Sequence, residues 1–270
     1  MTVVTLHSTE FGPADGFPVL AVHGWTPDHR LMTGCLEPVF AARAKSYRRL
    51  YPDLPGMGET PIGEVESADD ILDSLNAYVD EHIGDKPFLI IGESYGGYLA
   101  RALTQKRRSQ VVGLALICPV GKAVWHRDRD VPPHEVLYRD DELEHLRGSE
   151  VDEVAVIQTS ETFRRTQTEV VVGLNIADLP ALDRIQQQWV LKEDPEDGES
   201  ISVPTVIMAG RQDSSTGYRD SMALLEHYPR ASFMVLDRAG HNLQIEQPEL
   251  FEAITSEWLD RVEDSQLGAL

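Results

Sequence analysis

The stretch Gly92-Glu93-Ser94-Tyr95-Gly96 most constrains how this chain can fold. Residues 88–91 before it have the length and apolar character of a buried strand, and residues 98–103 after it have helical spacing. A serine with glycines two positions before and after it is typical of a very sharp strand-to-helix turn. Side chains at the glycine positions would collide with the neighbouring strand and helix. The sequence therefore predicts a hydroxyl held above a sheet at the start of a helix.

Apolar, strand-like runs alternate with helical patterns on both sides of this turn. The clearest further runs are residues 19–22, 47–52, 111–117, 204–209 and 233–236. Strands that are apolar on both faces are typical of a parallel sheet covered by helices on each side. Residues 3–7 add a first strand, which we expect to form a hairpin with residues 19–22 or to lie beside them. We therefore predict an α/β fold with a mostly parallel central sheet of about eight strands flanked by helices.

The pattern changes between residues 121 and 202, where no convincing strand can be identified. Three helical patterns follow one another there: 134–147, 149–174, and one capped by Asp178 with the apolar stripe Leu182, Ile185 and Trp189. We expect this segment to form an all-helical cap over the carboxyl edge of the sheet, and a meander of connecting helices fits the same pattern. The predicted core then comprises residues 1–120 and 203–270.

Composition excludes several classes of partner. The chain has 45 acidic and 24 basic side chains, a net charge of −21, which argues against a nucleic-acid groove or an anionic membrane surface. Cys35 and Cys118 are too few for a disulfide framework. The N-terminus does not resemble a signal peptide, and no apolar stretch approaches the length of a membrane span. These features predict a cytoplasmic protein, and they leave its oligomeric state open, a homo-oligomer included.

Three polar side chains follow the ends of separate predicted strands, in the chain order Ser94, Asp213 and His241. A serine hydroxyl becomes a good nucleophile when a base takes its proton and a third group orients that base. Open α/β sheets place their ligand crevice at the carboxyl ends of the strands, so we expect these side chains to meet there. Asp220 and Asp237 are alternative acids at this stage.

Over essentially its full length, the chain resembles the α/β-hydrolase superfamily, in the serine-nucleophile branch with a helical cap. The matching stretches are His23-Gly24-Trp25, Asp53-Leu54-Pro55-Gly56-Met57-Gly58, Gly92–Gly97, Gly210-Arg211-Gln212-Asp213 and Gly240-His241. The resemblance implies that Ser94 is the nucleophile, His241 the general base and then acid, and Asp213 the carboxylate that orients His241. It also implies an oxyanion hole formed by the backbone N–H groups of Trp25 and Tyr95.

Serine at the sharp turn excludes the haloalkane dehalogenases and epoxide hydrolases of this superfamily, which use aspartate there. The remaining reactions are the hydrolysis of esters, thioesters and amides, and carbon–carbon hydrolysis of a β-diketone type. Four aromatic residues are candidates for substrate binding, with core packing as the alternative: Trp25, Tyr95, Trp125 and Trp189. The chain has no H-x-H or H-E-x-x-H sequence, so we predict no metal and no cofactor.

The leading hypothesis from the sequence is a serine hydrolase that cleaves a small-molecule carboxylic ester through an acyl-enzyme. An aminopeptidase of the prolyl-iminopeptidase type is an alternative, because an acidic cap could bind a substrate ammonium. The usual turn of that group, G-G-S-W-G, differs from Gly92–Gly96 of this chain. A ligand receptor on the same fold is a third reading, and the complete set of Ser94, Asp213 and His241 counts against it, because binding alone does not require a base.

Overall fold

A computed structural model describes residues 3–148, 152 and 155–267 of the chain. Its strands are β1 (Ser8–Phe11), β2 (Phe17–Val22), β3 (Tyr47–Pro52), β4 (Phe88–Glu93), β5 (Val111–Ile117), β6 (Tyr138–Arg139), β7 (Ile157–Gln158), β8 (Thr205–Gly210) and β9 (Ala231–Leu236). The main sheet has the order β1-β3-β2-β4-β5-β8-β9, and only β1 runs antiparallel to its neighbour. This confirms the predicted α/β class and mostly parallel sheet, with seven strands instead of about eight.

Residues 3–7, expected to form the first strand, are not a strand in the structure. Their backbone groups bind side chains of neighbouring segments: the N–H of Val4 donates to Ser74 Oγ at 3.2 Å, and the N–H of His7 donates to Thr60 Oγ1 at 2.8 Å. The first strand is β1, and it pairs with β3 rather than with β2. The β-type composition therefore identified an extended segment correctly. Its N–H groups donate to side-chain hydroxyl groups instead of to a partner strand.

Helices pack on both faces of the sheet. Their bounds are α1 (His29–Ala41), α2 (Ala68–His82), α3 (Ser94–Lys106), α4 (Ser160–Thr166), α5 (Val172–Leu174), α6 (Leu179–Ile185), α7 (Tyr218–Met222), α8 (Leu243–Glu246) and α9 (Pro248–Leu267). Alternate residues of β2 and β4 enter two separate apolar clusters, as the period of a strand requires. One cluster includes α2 and α3, and the other includes α1 and α9. Among the described residues, no helix is both long and apolar enough to cross a bilayer.

The segment 121–202 contains short helices and one pair of two-residue strands. The predicted helix 134–147 is instead β6 followed by a 3-10 helix, Asp141–Leu146. Tertiary pairing of β6 with β7 overrides the local helical pattern there, so the expectation of an all-helical segment is wrong. Residues 149–151, 153 and 154, at the start of the predicted helix 149–174, lie outside the described residues.

The later part of this segment agrees better with the predicted helices. Residues from Ser160 to Leu174 are helical, with a π-helical turn at Gln167–Val171 between α4 and α5. Asp178 caps α6 as expected, because its side chain accepts the N–H of Ala181 at 3.2 Å. The predicted apolar stripe of that helix is buried: Leu182, Ile185 and Trp189.

The turn between β4 and α3 has the sharp geometry predicted from its glycines. Ser94 has a φ of +52°, in the left-handed region that residues with a side chain rarely adopt. A Cβ atom at Gly96 would lie 2.3 Å from the carbonyl oxygen of His23, and one at Gly92 would lie 2.4 Å from the carbonyl oxygen of Gly96. Close contact between backbone segments therefore requires glycine at both positions.

Replacing Gly96 by alanine is expected to lower the free energy of unfolding by about 1–3 kcal/mol, because the added methyl group meets a main-chain carbonyl that cannot rotate away. The matched control is Gly198→Ala at an exposed position, where the methyl group meets only the flexible end of the Gln105 side chain. Urea unfolding followed by circular dichroism measures both. Equal midpoints for the two variants would contradict this account of the turn.

Candidate active site

His241 lies between Ser94 and Asp213 at the carboxyl edge of the sheet. Its Nε2 atom is 2.9 Å from Ser94 Oγ, and its Nδ1 atom is 3.0 Å from Asp213 Oδ2. When Nδ1–H donates to Asp213, Nε2 is free to accept the proton of Ser94, which is the arrangement a serine nucleophile requires. Of the alternative acids, Asp237 is exposed, and Asp220 accepts a backbone N–H 3.4 Å away.

The carboxylate of Asp213 is fully buried and is fixed by the loop that follows it. The N–H groups of Ser215 and Thr216 donate to Oδ1 at 2.8 and 3.0 Å, and the Thr216 hydroxyl donates to Oδ2 at 2.6 Å. Burial alone would raise the pKa of Asp213, but the charge of His241 and these hydrogen bonds outweigh it and hold the pKa below its usual range. The carboxylate is therefore ionised and aimed at the imidazole.

A second buried carboxyl group, that of Glu93, lies beside the same imidazole. Its Oε1 atom is 3.5 Å from His241 Nε2, and its side chain is only 2% exposed. Burial raises the pKa of Glu93 to about 7, even though the charge of His241 opposes the rise. Burial lowers the pKa of His241, but the charge and hydrogen bond of Asp213, with a contribution from Glu93, outweigh it and raise the pKa to about 9. Both carboxylates therefore favour the imidazolium, and the neutral ring that can accept the Ser94 proton gains population as the pH rises toward 9.

Two backbone N–H groups lie on the elements that flank Ser94. Tyr95 is the second residue of α3, and the N–H groups of the first helical turn have no acceptor within the helix. Trp25 follows β2 in a loop that packs closely on Ser94, since a Cβ atom at Gly24 would lie 3.0 Å from Ser94 Cβ. Within the described chain, the N–H of Trp25 makes no hydrogen bond to another backbone group. These two donors are the candidates for an oxyanion hole.

A cavity of about 340 Å³ opens beside Ser94 and His241. Its walls contain all four aromatic residues singled out in the sequence: Trp25, Tyr95, Trp125 and Trp189. The ring of Trp189 stacks on that of Tyr95 with centroids 4.1 Å apart, and its centroid lies 4.5 Å from that of Trp25, edge to face. Pocket lining and core packing were alternatives from the sequence, and all four of these side chains do both.

A second cavity of about 180 Å³ also borders Ser94 and His241, together with apolar side chains that do not line the first. These are Pro27, Leu31, Val170 and Leu174. The Ser94 hydroxyl therefore borders two cavities. A substrate whose scissile bond lies at Ser94 has one cavity for each of its two parts.

The sequence patterns do not identify three further residues at the site. Glu93 lies inside the turn motif, and its position next to Ser94 is the sequence feature that could have identified it. Arg129 lines the larger cavity, and no local pattern indicates it. Glu246 is buried and accepts the N–H groups of Val156 and Gly240, at 2.6 and 2.5 Å, and burial raises its pKa to about 7. The contacts of Glu246 with Val156 and of Arg129 with Ser215 join residues 90 and 86 positions apart, and local motifs do not encode such contacts.

A polar cluster lies where the loop after β3 meets α1. His7 Nδ1 is 3.1 Å from Asp53 Oδ2, and His29 Nδ1 is 2.9 Å from Asp53 Oδ1. These atoms are of types that ligate metals and lie close together. Asp53 also accepts the backbone N–H groups of His29 and Glu59, so the contacts present form a hydrogen-bond network that fixes this loop. The absence of a metal stays a prediction from sequence.

The sequence matches the alpha/beta hydrolase family over residues 19–254. The chain therefore belongs to that family, and the superfamily predicted from its motifs is confirmed. The crystal structure of an alpha/beta superfamily hydrolase from Oenococcus oeni is similar to this chain with a TM-score of 0.88 and 28% identity, over 97% of this chain and 98% of that one.

Three characterised proteins illustrate the range of related activities. Lipase LipV of Mycobacterium tuberculosis is 32% identical over 133 residues, which are 48% of this chain and only 47% of LipV. A pimeloyl-[acyl-carrier protein] methyl ester esterase of Legionella pneumophila is 24% identical, over 95% of this chain and 100% of that protein. A 2-hydroxy-6-oxo-6-(2'-aminophenyl)hexa-2,4-dienoic acid hydrolase of Metapseudomonas resinovorans is 23% identical, over 92% and 86%. Hydrolysis is common to these relatives, whereas the bond cleaved differs.

Replacing Glu93 by glutamine is expected to lower the pKa of His241 by about one unit, because a carboxylate 3.5 Å from Nε2 stabilises the protonated ring and the amide does not. An NMR titration of the imidazole signals measures this pKa directly. Glu252→Gln is the control, since it removes one charge from an exposed site. An unchanged or higher pKa in Glu93→Gln would show that Glu93 does not act on the imidazole through its charge.

Proposed function

We propose that this protein is a serine hydrolase that cleaves a small-molecule carboxylic ester through an acyl-enzyme intermediate. The observation that carries the proposal is the continuous set of contacts from Ser94 Oγ through His241 to Asp213, at 2.9 and 3.0 Å. Binding alone does not need a base within reach of a serine hydroxyl. The similarity to an esterase and a lipase supports the same class of reaction.

In the first half of the proposed reaction, Ser94 Oγ attacks the ester carbonyl carbon while His241 Nε2 takes its proton. Asp213 stabilises the imidazolium that forms. The N–H groups of Trp25 and Tyr95 bind the developing oxyanion, and donors of this kind contribute about 3 kcal/mol each. His241 then gives its proton to the leaving alcohol as the carbon–oxygen bond breaks, and the acyl group stays on Ser94.

In the second half, a water molecule takes the place of the alcohol. His241 removes a proton from this water while the water oxygen attacks the acyl carbon, and the same oxyanion donors serve again. The carboxylic acid leaves as Ser94 recovers its proton from His241. One ester and one water thus give one acid and one alcohol, and the enzyme is unchanged.

We further propose that residues 121–202 act as a cap on a core formed by residues 1–120 and 203–270. The support is the composition of the larger cavity, which Ser94 and His241 border from the core. The residues that line it from the segment 121–202 are Trp125, His126, Arg129, Gln186 and Trp189. Substrate selection then falls largely to side chains of this segment.

Carbon–carbon hydrolysis is the second candidate, and the similarity to the dienoic acid hydrolase of M. resinovorans favours it. That reaction can use the same nucleophile and base. The aminopeptidase alternative is less consistent with the site, because it calls for carboxylates around a substrate ammonium. Among the described lining residues, the larger cavity contains Arg129 and no carboxylate, and the smaller cavity contains a single acidic residue, Glu93.

Replacing Ser94 by alanine is expected to lower kcat for 4-nitrophenyl esters by at least about a thousandfold, because the nucleophile is removed. Labelling by a fluorophosphonate is expected to disappear in the same variant. Circular dichroism is expected to show an unchanged fold. The control is Ser109→Ala at an exposed serine, which retains both activity and labelling.

Two outcomes would decide against the proposal in different ways. A folded wild-type protein that resists the fluorophosphonate and hydrolyses no ester would favour a ligand receptor. Faster turnover of a 2-hydroxy-6-oxo-hexa-2,4-dienoate than of any ester would favour carbon–carbon hydrolysis.

A further inference from the structure

Arg129 places a fixed positive charge in the wall of the larger cavity, which it lines together with Ser94 and His241. Its Nε–H donates to the carbonyl oxygen of Ala123 at 3.2 Å, and Nη1–H donates to that of Ser215 at 2.9 Å. Nη2–H donates to the carbonyl oxygen of Val124. A guanidinium has five N–H bonds, so these contacts hold its plane rigidly and leave one N–H on each terminal nitrogen for a ligand.

No carboxylate of the described residues lies within ion-pair distance of Arg129, and all three of its hydrogen-bond acceptors are neutral carbonyl groups; the charges of Asp213 and Asp220 act on it only from farther away. Other poorly exposed arginines are paired: Arg101 with Glu196, and Arg165 with Glu169. Burial lowers the pKa of Arg129, which marks a site where water solvates the cation poorly. A cation in such a site is stabilised strongly by a bound anion.

The rest of the cavity wall is largely aromatic and apolar. Trp25, Tyr95, Trp125, Trp189 and Val120 line it, with Arg129 as its one arginine, and no carboxylate among its described lining residues would repel an anion. A ligand that fits this lining has an apolar body and one anionic group. The volume of about 340 Å³ restricts that ligand to a small molecule.

We propose that this cavity binds the carboxylate of an anionic substrate through Arg129, so that the protein prefers acyl compounds that carry a free carboxylate, such as half-esters of dicarboxylic acids, over neutral ones. This inference rests on the proposed serine-hydrolase function and names its substrate class. Two parallel N–H···O bonds from the free hydrogens of Nη1 and Nη2 match the geometry of a carboxylate.

The net charge of −21 opposes this preference only weakly. Repulsion between exposed charges is screened beyond about 8 Å at physiological ionic strength, so it affects the approach of an anion more than its bound state. The contact with Arg129 forms in a poorly solvated wall, where charge-assisted hydrogen bonds are roughly twice as strong as neutral ones. Local attraction therefore outweighs the distant charges.

The test compares two esters that differ only by a terminal carboxylate, mono-4-nitrophenyl adipate and 4-nitrophenyl hexanoate. A second pair, 4-carboxyphenyl acetate and phenyl acetate, places the carboxylate on the leaving group. For at least one pair, the wild-type protein is expected to have the higher kcat/KM with the charged member. In Arg129→Gln, the ratio of the two kcat/KM values is expected to fall about 10- to 100-fold. Arg129→Lys is expected to restore part of the ratio because it keeps the charge.

Arg147→Gln is the matched control, because it removes the same charge from an exposed residue of the same segment. It is expected to leave the ratio unchanged. If Arg129→Gln lowers kcat/KM equally for charged and neutral esters, Arg129 only holds the loops of Ala123 and Ser215, and the proposal is overturned. A wild-type preference for the neutral member of both pairs would also overturn it.

A binding experiment separates this proposal from the function on which it rests. Calorimetry with adipate and the Ser94→Ala protein measures the anion site without any turnover. The Kd for adipate is expected to rise at least about tenfold when Arg129→Gln is added. The same Kd in both proteins would refute the anion site even if ester hydrolysis is observed, whereas a higher Kd would support the site even if no ester is cleaved.

Discussion

The close backbone contact between the start of α3 and the end of β2 determines the geometry of the whole site. It brings Gly96 against the carbonyl of His23, and the residue after His23, Gly24, packs on both Ser94 and Glu93. A Cβ atom at Gly24 would lie 2.2 Å from Glu93 Oε2. The hydroxyl, its neighbouring carboxyl and the loop of the candidate oxyanion donors are thus positioned by main-chain packing, which is more rigid than contact between long side chains.

Around this contact the protein buries three carboxyl groups: Asp213 and Glu93 lie beside the imidazole, and Glu246 lies against the backbone of Gly240. Asp213 receives several hydrogen bonds besides that of His241, so its charged form is stabilised. Burial outweighs the charge of His241 at Glu93 and the three backbone N–H donors at Glu246, and the pKa of each rises to about 7. A poorly solvated site disfavours uncompensated negative charges, so burial favours the protonated form of Glu93 and limits the charge that the imidazole faces.

The sequence predicts this site well where local chemistry determines it. Ser94, Asp213 and His241 each follow a strand, and parallel strands bring their carboxyl ends to one edge, so their meeting was predictable. Arg129 and Glu246 were not, because the contacts of Arg129 with Ser215 and of Glu246 with Val156 join segments 86 and 90 residues apart. The pairing of β6 with β7 was not predicted either, because it depends on tertiary contacts rather than on local propensity.

Glu246 joins the segment 121–202 to the loop that carries His241. Its carboxyl group accepts N–H groups from Val156 and Ile157, in that segment, and from Gly240, next to His241. A buried N–H left without an acceptor costs roughly 1–3 kcal/mol, so moving this part of the segment away from the core would leave unpaired groups on both sides. The packing of Val156 and Ile157 and the position of the histidine loop are therefore energetically linked, and a change in how these residues pack would be felt at the backbone next to His241.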